Sequence, residues 1–274
     1  MFLLAPSTTP RPGVPMKGLV DALSELALEA GNLPAKAQMH IPTDVLNAYL
    51  SWVDSAERSL ANMLTRGDIE DLLLTRRHWS LRSMDGGSAG LASAVRLELE
   101  QRKVAVEALR DELASFQQHW DSRSGVVAVP DTNVFLDVAQ PIDALPWADM
   151  VGIGTDVHIV IPLLVVDELD KNKRHNNKKL QQAARHSLRW LESLRGGGGP
   201  DAPCVGTASL EILADPPGHV RGEDADYEIL DRVALLKHLT ALRVCVVTQD
   251  LGMRVRAESL GLEALAAPQV PEAQ

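Results

Sequence analysis

The pattern of the chain changes near residue 125, and that change constrains its fold more than any other feature. Up to about residue 120 apolar residues recur at helical spacing. Beyond it, short apolar runs that end in small polar or acidic residues alternate with helical stretches. Two regimes in 274 residues read as two structural regions, each long enough to bury a core.

Residues 1–16, rich in Pro, Thr and Ser, are expected to form a disordered arm, and Met16 stands as an alternative start. Residues 17–122 are expected to be an all-helical region. A first helix over Lys17 to Ala30 places Leu19, Leu23 and Leu26 on one face. A second, capped by Thr43 or Asp44, carries Leu46, Leu50, Val53, Leu60 and Met63. A third runs from Asp68 to Arg82 and stops before the glycines of "MDGGSAG". The fourth carries Val95, Leu99, Val106, Leu109, Leu113, Phe116 and Trp120, with Arg102 as its polar interruption. That stripe is short for a free-standing coiled coil, so packing among these helices is the expected use. Self-association or a protein partner is the alternative. No repeat and no catalytic constellation precedes residue 125.

Composition excludes several classes. The two cysteines, Cys204 and Cys245, lack metal-binding spacing and are too few for a disulfide framework, which fits a cytoplasmic location. No run approaches the ~20 apolar residues of a membrane-spanning helix, and no basic segment precedes the short apolar start, so neither anchor nor signal peptide is expected. A net charge of −10 argues against nonspecific coating of nucleic acid. Residues 171–195 nevertheless hold eight Lys or Arg against one acid, Glu192. A basic stretch beside an acidic cluster is what a metal-dependent nuclease needs, although a charge run is also simply a solvated helix face.

In the second region "VVAVPD", "VHIVIP", "LRVCVVTQD" and "GLEALAAP" read as strands, with another around Val205 to Leu213. Helices near 168–195 and 225–240 fall between them, which implies an α/β fold with a mostly parallel sheet. Ligands bind beyond the carboxyl ends of such strands. The acids there are Asp131 after the first strand; Asp167, Glu168 and Asp170 after the second; Asp224 and Asp226 at the helix opening "GEDADYEIL"; and Asp250 after "RVCVVT". Any one of them is explained as a helix cap. Four gathered carboxylates would repel one another unless a divalent cation neutralised them, and an oxygen-only donor set favours Mg²⁺ or Mn²⁺. Phosphodiester hydrolysis is the natural chemistry of such a site. Lys171, Lys173, Arg174, Lys178 and Lys179 follow Glu168 directly and are candidates for a groove along a substrate backbone. Trp190 on the same helix is a candidate for base stacking, with core packing as the ordinary alternative.

The blocks "PDTNVFLD", "VVDELDKNKR", "EDADYEIL" and "VTQDLGMRVRAESLGL" occur in the order and spacing of the PIN domain, and residues 126–267 resemble that nuclease family. The resemblance implies a three-layer α/β/α domain over residues 123–267, followed by a tail at 268–274. It implies a metal-dependent (endo)ribonuclease acting on single-stranded RNA with Mg²⁺ or Mn²⁺, with endo- and exonucleolytic action both open. By the same resemblance Asp131, Glu168, Asp226 and Asp250 are the catalytic and metal-binding acids. Asp224 is an alternative to Asp226, Asn133 and Thr248 are supporting polar residues, and Arg254 is a substrate-binding basic residue. A PIN-like module that binds RNA or protein with little activity, and the toxin of a toxin–antitoxin pair, stand as alternatives. A haloacid dehalogenase-type phosphatase would usually show D-x-D where this chain has Asp131-Thr132-Asn133.

Overall fold

A computed structural model describes residues 2–36, 41–136, 142, 145–152, 156–195, 204–205 and 208–267. The four glycines at 196–199 and the expected tail at 268–274 lie outside the described residues. The chain divides into two compact units, Pro6–Trp120 and Met1–Ala5 with Asp121–Gln274.

The first unit is helical: α1 (Met16–Lys36), α2 (Pro42–Leu60), α3 (Arg66–Leu73), α4 (Arg76–Arg82) and α5 (Leu91–Asp121). The N-cap of helix α2 is Ile41, two residues before Thr43 and three before Asp44, with Pro42 in the first turn. Proline suits that position because its missing N–H has no intrahelical partner there anyway. The helix expected over Asp68 to Arg82 is two helices. Thr65 and Asp68 form a capping box on α3, and the Thr75 hydroxyl accepts from the His78 N–H to open α4. A threonine that offers the backbone an alternative partner is the reason for the break. The α5 stripe is buried from Leu91 to Trp120. Its polar interruption turns inward: Arg102 Nη1 donates to the Leu72 carbonyl at 2.7 Å, and Arg102 Nε lies 3.2 Å from the buried Glu98 carboxylate. Thr75 and Arg77 also donate to Glu98, so this buried charge is fully partnered.

The second unit is an α/β layer structure. Its strands are β1 (Phe2–Leu4), β2 (Val126–Pro130), β3 (Val157–Pro162), β4 (Cys204–Val205), β5 (Ala208–Ala214), β6 (Arg243–Thr248) and β7 (Glu263–Ala266). Its helices are α6 (Thr132–Leu136), α7 (Trp147–Val151), α8 (Leu163–Asn172), α9 (Lys178–Arg195), α10 (Ala225–Leu239) and α11 (Leu251–Ser259). The sheet order is β1-β5-β3-β2-β6-β7, with β4 also paired to β5. Every pairing is parallel except β4 with β5. Residues 2–4, expected in a disordered arm, instead pair with Ile212–Ala214, and the Ala5 N–H extends the ladder to the Ala214 carbonyl. An open β5 edge and the buried side chain of Leu3 account for that ordering. The helical unit is therefore an insertion between the first two strands of the α/β unit.

Gly125 sets the entry to β2. Its φ is +109°, and a Cβ there would lie 2.1 Å from the Asp156 carbonyl oxygen, so only glycine fits. Pro162 ends β3, and α8 begins at once with Leu163, five residues before the expected start. A second break separates α8 from α9, where the Asn177 side chain accepts from the Lys179 N–H. From β2 the chain moves outward through β3 to β5 on one side and then returns to β6 on the other. The reversal leaves a crevice outside the carboxyl ends of β2 and β6. No helix among the described residues is long and apolar enough to cross a membrane.

Candidate active site

Strand β2 is buried at all five positions and hands the chain to Asp131, whose side chain is only 2% exposed. The backbone N–H of Val134 donates to Asp131 Oδ1 at 2.9 Å, and Thr248 Oγ1 donates to Asp131 Oδ2. The nearby Asn133 backbone acts on this carboxylate in the same direction. Burial, reinforced by the charge of Asp226, pushes Asp131 up to about 6 against these bonds. Thr248 ends β6 and also accepts the Asp250 N–H at 3.0 Å. A continuous set of bonds thus joins Asp250, Thr248 and Asp131 across the two strands that flank the crevice.

The acids of "VVDELD" separate by partner. Asp167 accepts from Arg221 Nη1 at 2.6 Å, and Asp170 pairs with Lys173. Arg221 also reaches Asp215, which Arg232 contacts at 3.1 Å, so Asp167 belongs to an ion network over the end of β5. Glu168 instead accepts from Thr132 Oγ1, the hydroxyl next to Asp131. Asp224 and Asp226 differ as well. Asp224 is the N-cap of α10 and accepts from the Asp226 N–H. The Asp226 carboxylate receives Arg256 Nη1 at 3.0 Å, whereas Asp224 lies 3.6 Å from the same nitrogen. Partial burial raises Asp226, and the neighbouring charges of Asp224 and Asp250 push the same way while Arg256 opposes them. Asp250 caps α11, accepting from the N–H groups of Gly252 and Met253.

Among the described residues Asp131, Glu168 and Asp250 have no Lys, Arg or His partner, and Asp226 shares one arginine with Asp224. No three His, Cys, Asp or Glu side chains among the described residues form a group poised to hold a metal ion. The donor chemistry nevertheless fits a hard divalent cation: the oxygens are all carboxylate or hydroxyl, and burial together with neighbouring carboxylates raises Asp131 and Asp226.

The expected basic residues occupy several settings. Lys171 and Lys173 close α8, and Arg174 is exposed in the turn that follows. Lys178 and Lys179 are exposed on the first turn of α9, where the helix dipole is itself positive. Arg254 lies on α11, and its buried Nε has no hydrogen-bond partner. Arg256, Thr132 and Arg221 were not singled out from the sequence. Thr132 sits inside "PDTN" as one more turn-forming residue, and the two arginines owe their roles to partners on other elements.

The PIN domain family model matches residues 128–267, just over half of the 274-residue chain. The chain is also 38% identical over 144 residues to Protein PhoH2 of Thermobispora bispora, a match covering 50% of this chain and 30% of that protein. It thus spans about a third of that relative's length. A solved domain of a functionally unknown protein from Methanocaldococcus jannaschii is 17% identical, with a TM-score of 0.36 over 55% of this chain and 96% of that one. PIN domains are generally metal-dependent nucleases. By the family match over its α/β unit, this chain belongs to the PIN domain family.

Proposed function

We propose that the chain is a metal-dependent ribonuclease that hydrolyses phosphodiester bonds of single-stranded RNA, with Mg²⁺ or Mn²⁺ held by Asp131, Glu168, Asp226 and Asp250. The observation that carries this reading is the buried Asp131 carboxylate, raised to about 6 and without a cationic partner, beside the switch-point crevice. When bound, such an ion supplies Lewis-acid polarisation of the phosphodiester and activation of water.

The chain's own residues do the positioning. Val134 and Thr248 fix the two oxygens of Asp131, and Thr132 orients Glu168. Asp226 rather than Asp224 is the third acid in this reading, because the side chain of Asp224 is engaged in capping α10. Asp250 combines capping with a place at the crevice through Thr248. Lys171, Lys173, Arg174, Lys178 and Lys179 neutralise backbone phosphates on one side. Arg254, on α11 four residues after Asp250, is the further basic residue of this reading.

Labelled single-stranded RNA, single-stranded DNA and duplexes incubated with Mg²⁺, Mn²⁺ or EDTA provide the test. Cleavage of the RNA with either ion and none in EDTA is the expected result. Inert protein across all substrates and ions would return these acids to the role of caps within a binding module.

A further inference from the structure

The α/β unit exposes an aromatic ring beside the third acid. Tyr227 follows Asp226 on the first turn of α10 and is 51% exposed, in a chain with only ten aromatic Phe, Trp and Tyr residues. Its ring does not stand alone: Arg256 Cζ lies 5.5 Å from the ring centroid, over the ring. The same guanidinium is 3.0 Å from the Asp226 carboxylate. One arginine therefore contacts both the acid and the aromatic, and about half of the tyrosine stays exposed. Leu251, 67% exposed, follows Asp250 on the opening turn of α11, so an apolar side chain borders that acid as well.

An exposed aromatic held by a cation next to a carboxylate site matches the chemistry of an unpaired nucleotide. A base supplies a π face, its phosphate needs the neighbouring cations, and every base stacks irrespective of sequence. A duplex cannot present that face without unstacking the base first.

We propose that Tyr227 is a stacking platform for an unpaired base of a single-stranded nucleic acid, with Arg256 as the residue that positions the ring against Asp226. This deepens the nuclease reading and rests on it. Stacking here selects single strands over duplexes by shape rather than by sequence.

The test uses the full chain and a fluorescein-labelled single-stranded oligonucleotide, as RNA and as DNA, with the matching duplex. Affinity is read by anisotropy in EDTA, and KM and kcat by cleavage in Mn²⁺. Tyr227→Ala is expected to weaken single-strand binding roughly 5- to 150-fold and to raise KM more than it lowers kcat, with duplex binding unmoved. Tyr227→Phe should stay within about twofold of the wild type, since it keeps the ring. A strand of the same length that is abasic throughout should bind the wild type and Tyr227→Ala alike. Unchanged affinity and KM in Tyr227→Ala, or a Tyr227→Phe as weak as Tyr227→Ala, would overturn the stacking role while wild-type cleavage kept the nuclease reading intact. A wild type that neither binds nor cleaves would overturn both.

Discussion

The hydroxyl of Thr248 donates to the carboxylate of Asp131 and so ties the end of β6 to the end of β2 across the switch-point crevice. It also accepts the Asp250 N–H, which makes one side chain responsible for the relative placement of two candidate acids. Thr248→Val keeps the shape and removes both roles. Because the Thr248 bond holds Asp131 down against burial, its loss should raise the Asp131 carboxyl further and weaken Mn²⁺ binding. The expected cost to stability is about 1–3 kcal/mol, as for a lost bond to a buried acceptor. Titration calorimetry with Mn²⁺ and denaturant unfolding check this, and Thr248→Ser should restore most of both.

Asp131 makes the metal-free fold sensitive to pH in a defined direction. Its folded value of about 6 exceeds the ordinary 3.8, so the folded state binds the proton more tightly than the unfolded chain does. Its contribution is therefore fully present below about pH 4 and is lost as pH rises through about 6, a difference of roughly 2–3 kcal/mol. Asp131→Asn should flatten that part of the stability curve and stabilise the metal-free protein at pH 8. Urea unfolding in EDTA between pH 4 and 8 reads the difference. Parallel curves for wild type and variant would place the strain elsewhere.

The short strand β1 makes its own prediction. Removing residues 1–5, or starting the chain at Met16, deletes the ladder to β5 and the buried Leu3 side chain. The expected loss is about 2–3 kcal/mol from the apolar burial and the opened edge. Thermal unfolding followed by circular dichroism should show the lower midpoint in the truncated chain. An unchanged midpoint would mean that β1 contributes nothing to the sheet.

Much of this architecture was legible because burial imposes a pattern. The all-apolar "VVAV" run has one use, a strand covered on both faces, and the acid that follows it falls at the carboxyl edge without further information. The α5 stripe was readable for the same reason. Three residues of β1 carry no periodicity, and their pairing partner lies more than two hundred residues away, so proline-rich surroundings dominated the local reading. The break at Leu74 was hidden because Thr75 resembles any mid-helix polar residue until its hydroxyl accepts the His78 N–H. At the site, position after the strand puts Asp167, Glu168 and Asp170 together, and only the family resemblance singles out Glu168. Their partners Arg221, Thr132 and Lys173 separate them, and two of those three lie on other elements. Arg256 likewise acquires meaning only from Asp226 and Tyr227 across the fold.

In the proposed function the carboxylates outside β2 and β6 do the chemistry. The most direct measurement compares cleavage of a labelled single-stranded RNA in Mn²⁺ by the wild type and by Asp131→Asn and Asp250→Asn, with circular dichroism confirming that each variant is folded. Cleavage by the wild type that EDTA abolishes is expected, with a loss of at least about a hundredfold in each folded variant, in line with the several kcal/mol an ion contributes to charge stabilisation. Wild-type rates in the folded variants would contradict it and leave these acids as the caps and strand-end anchors of a binding fold.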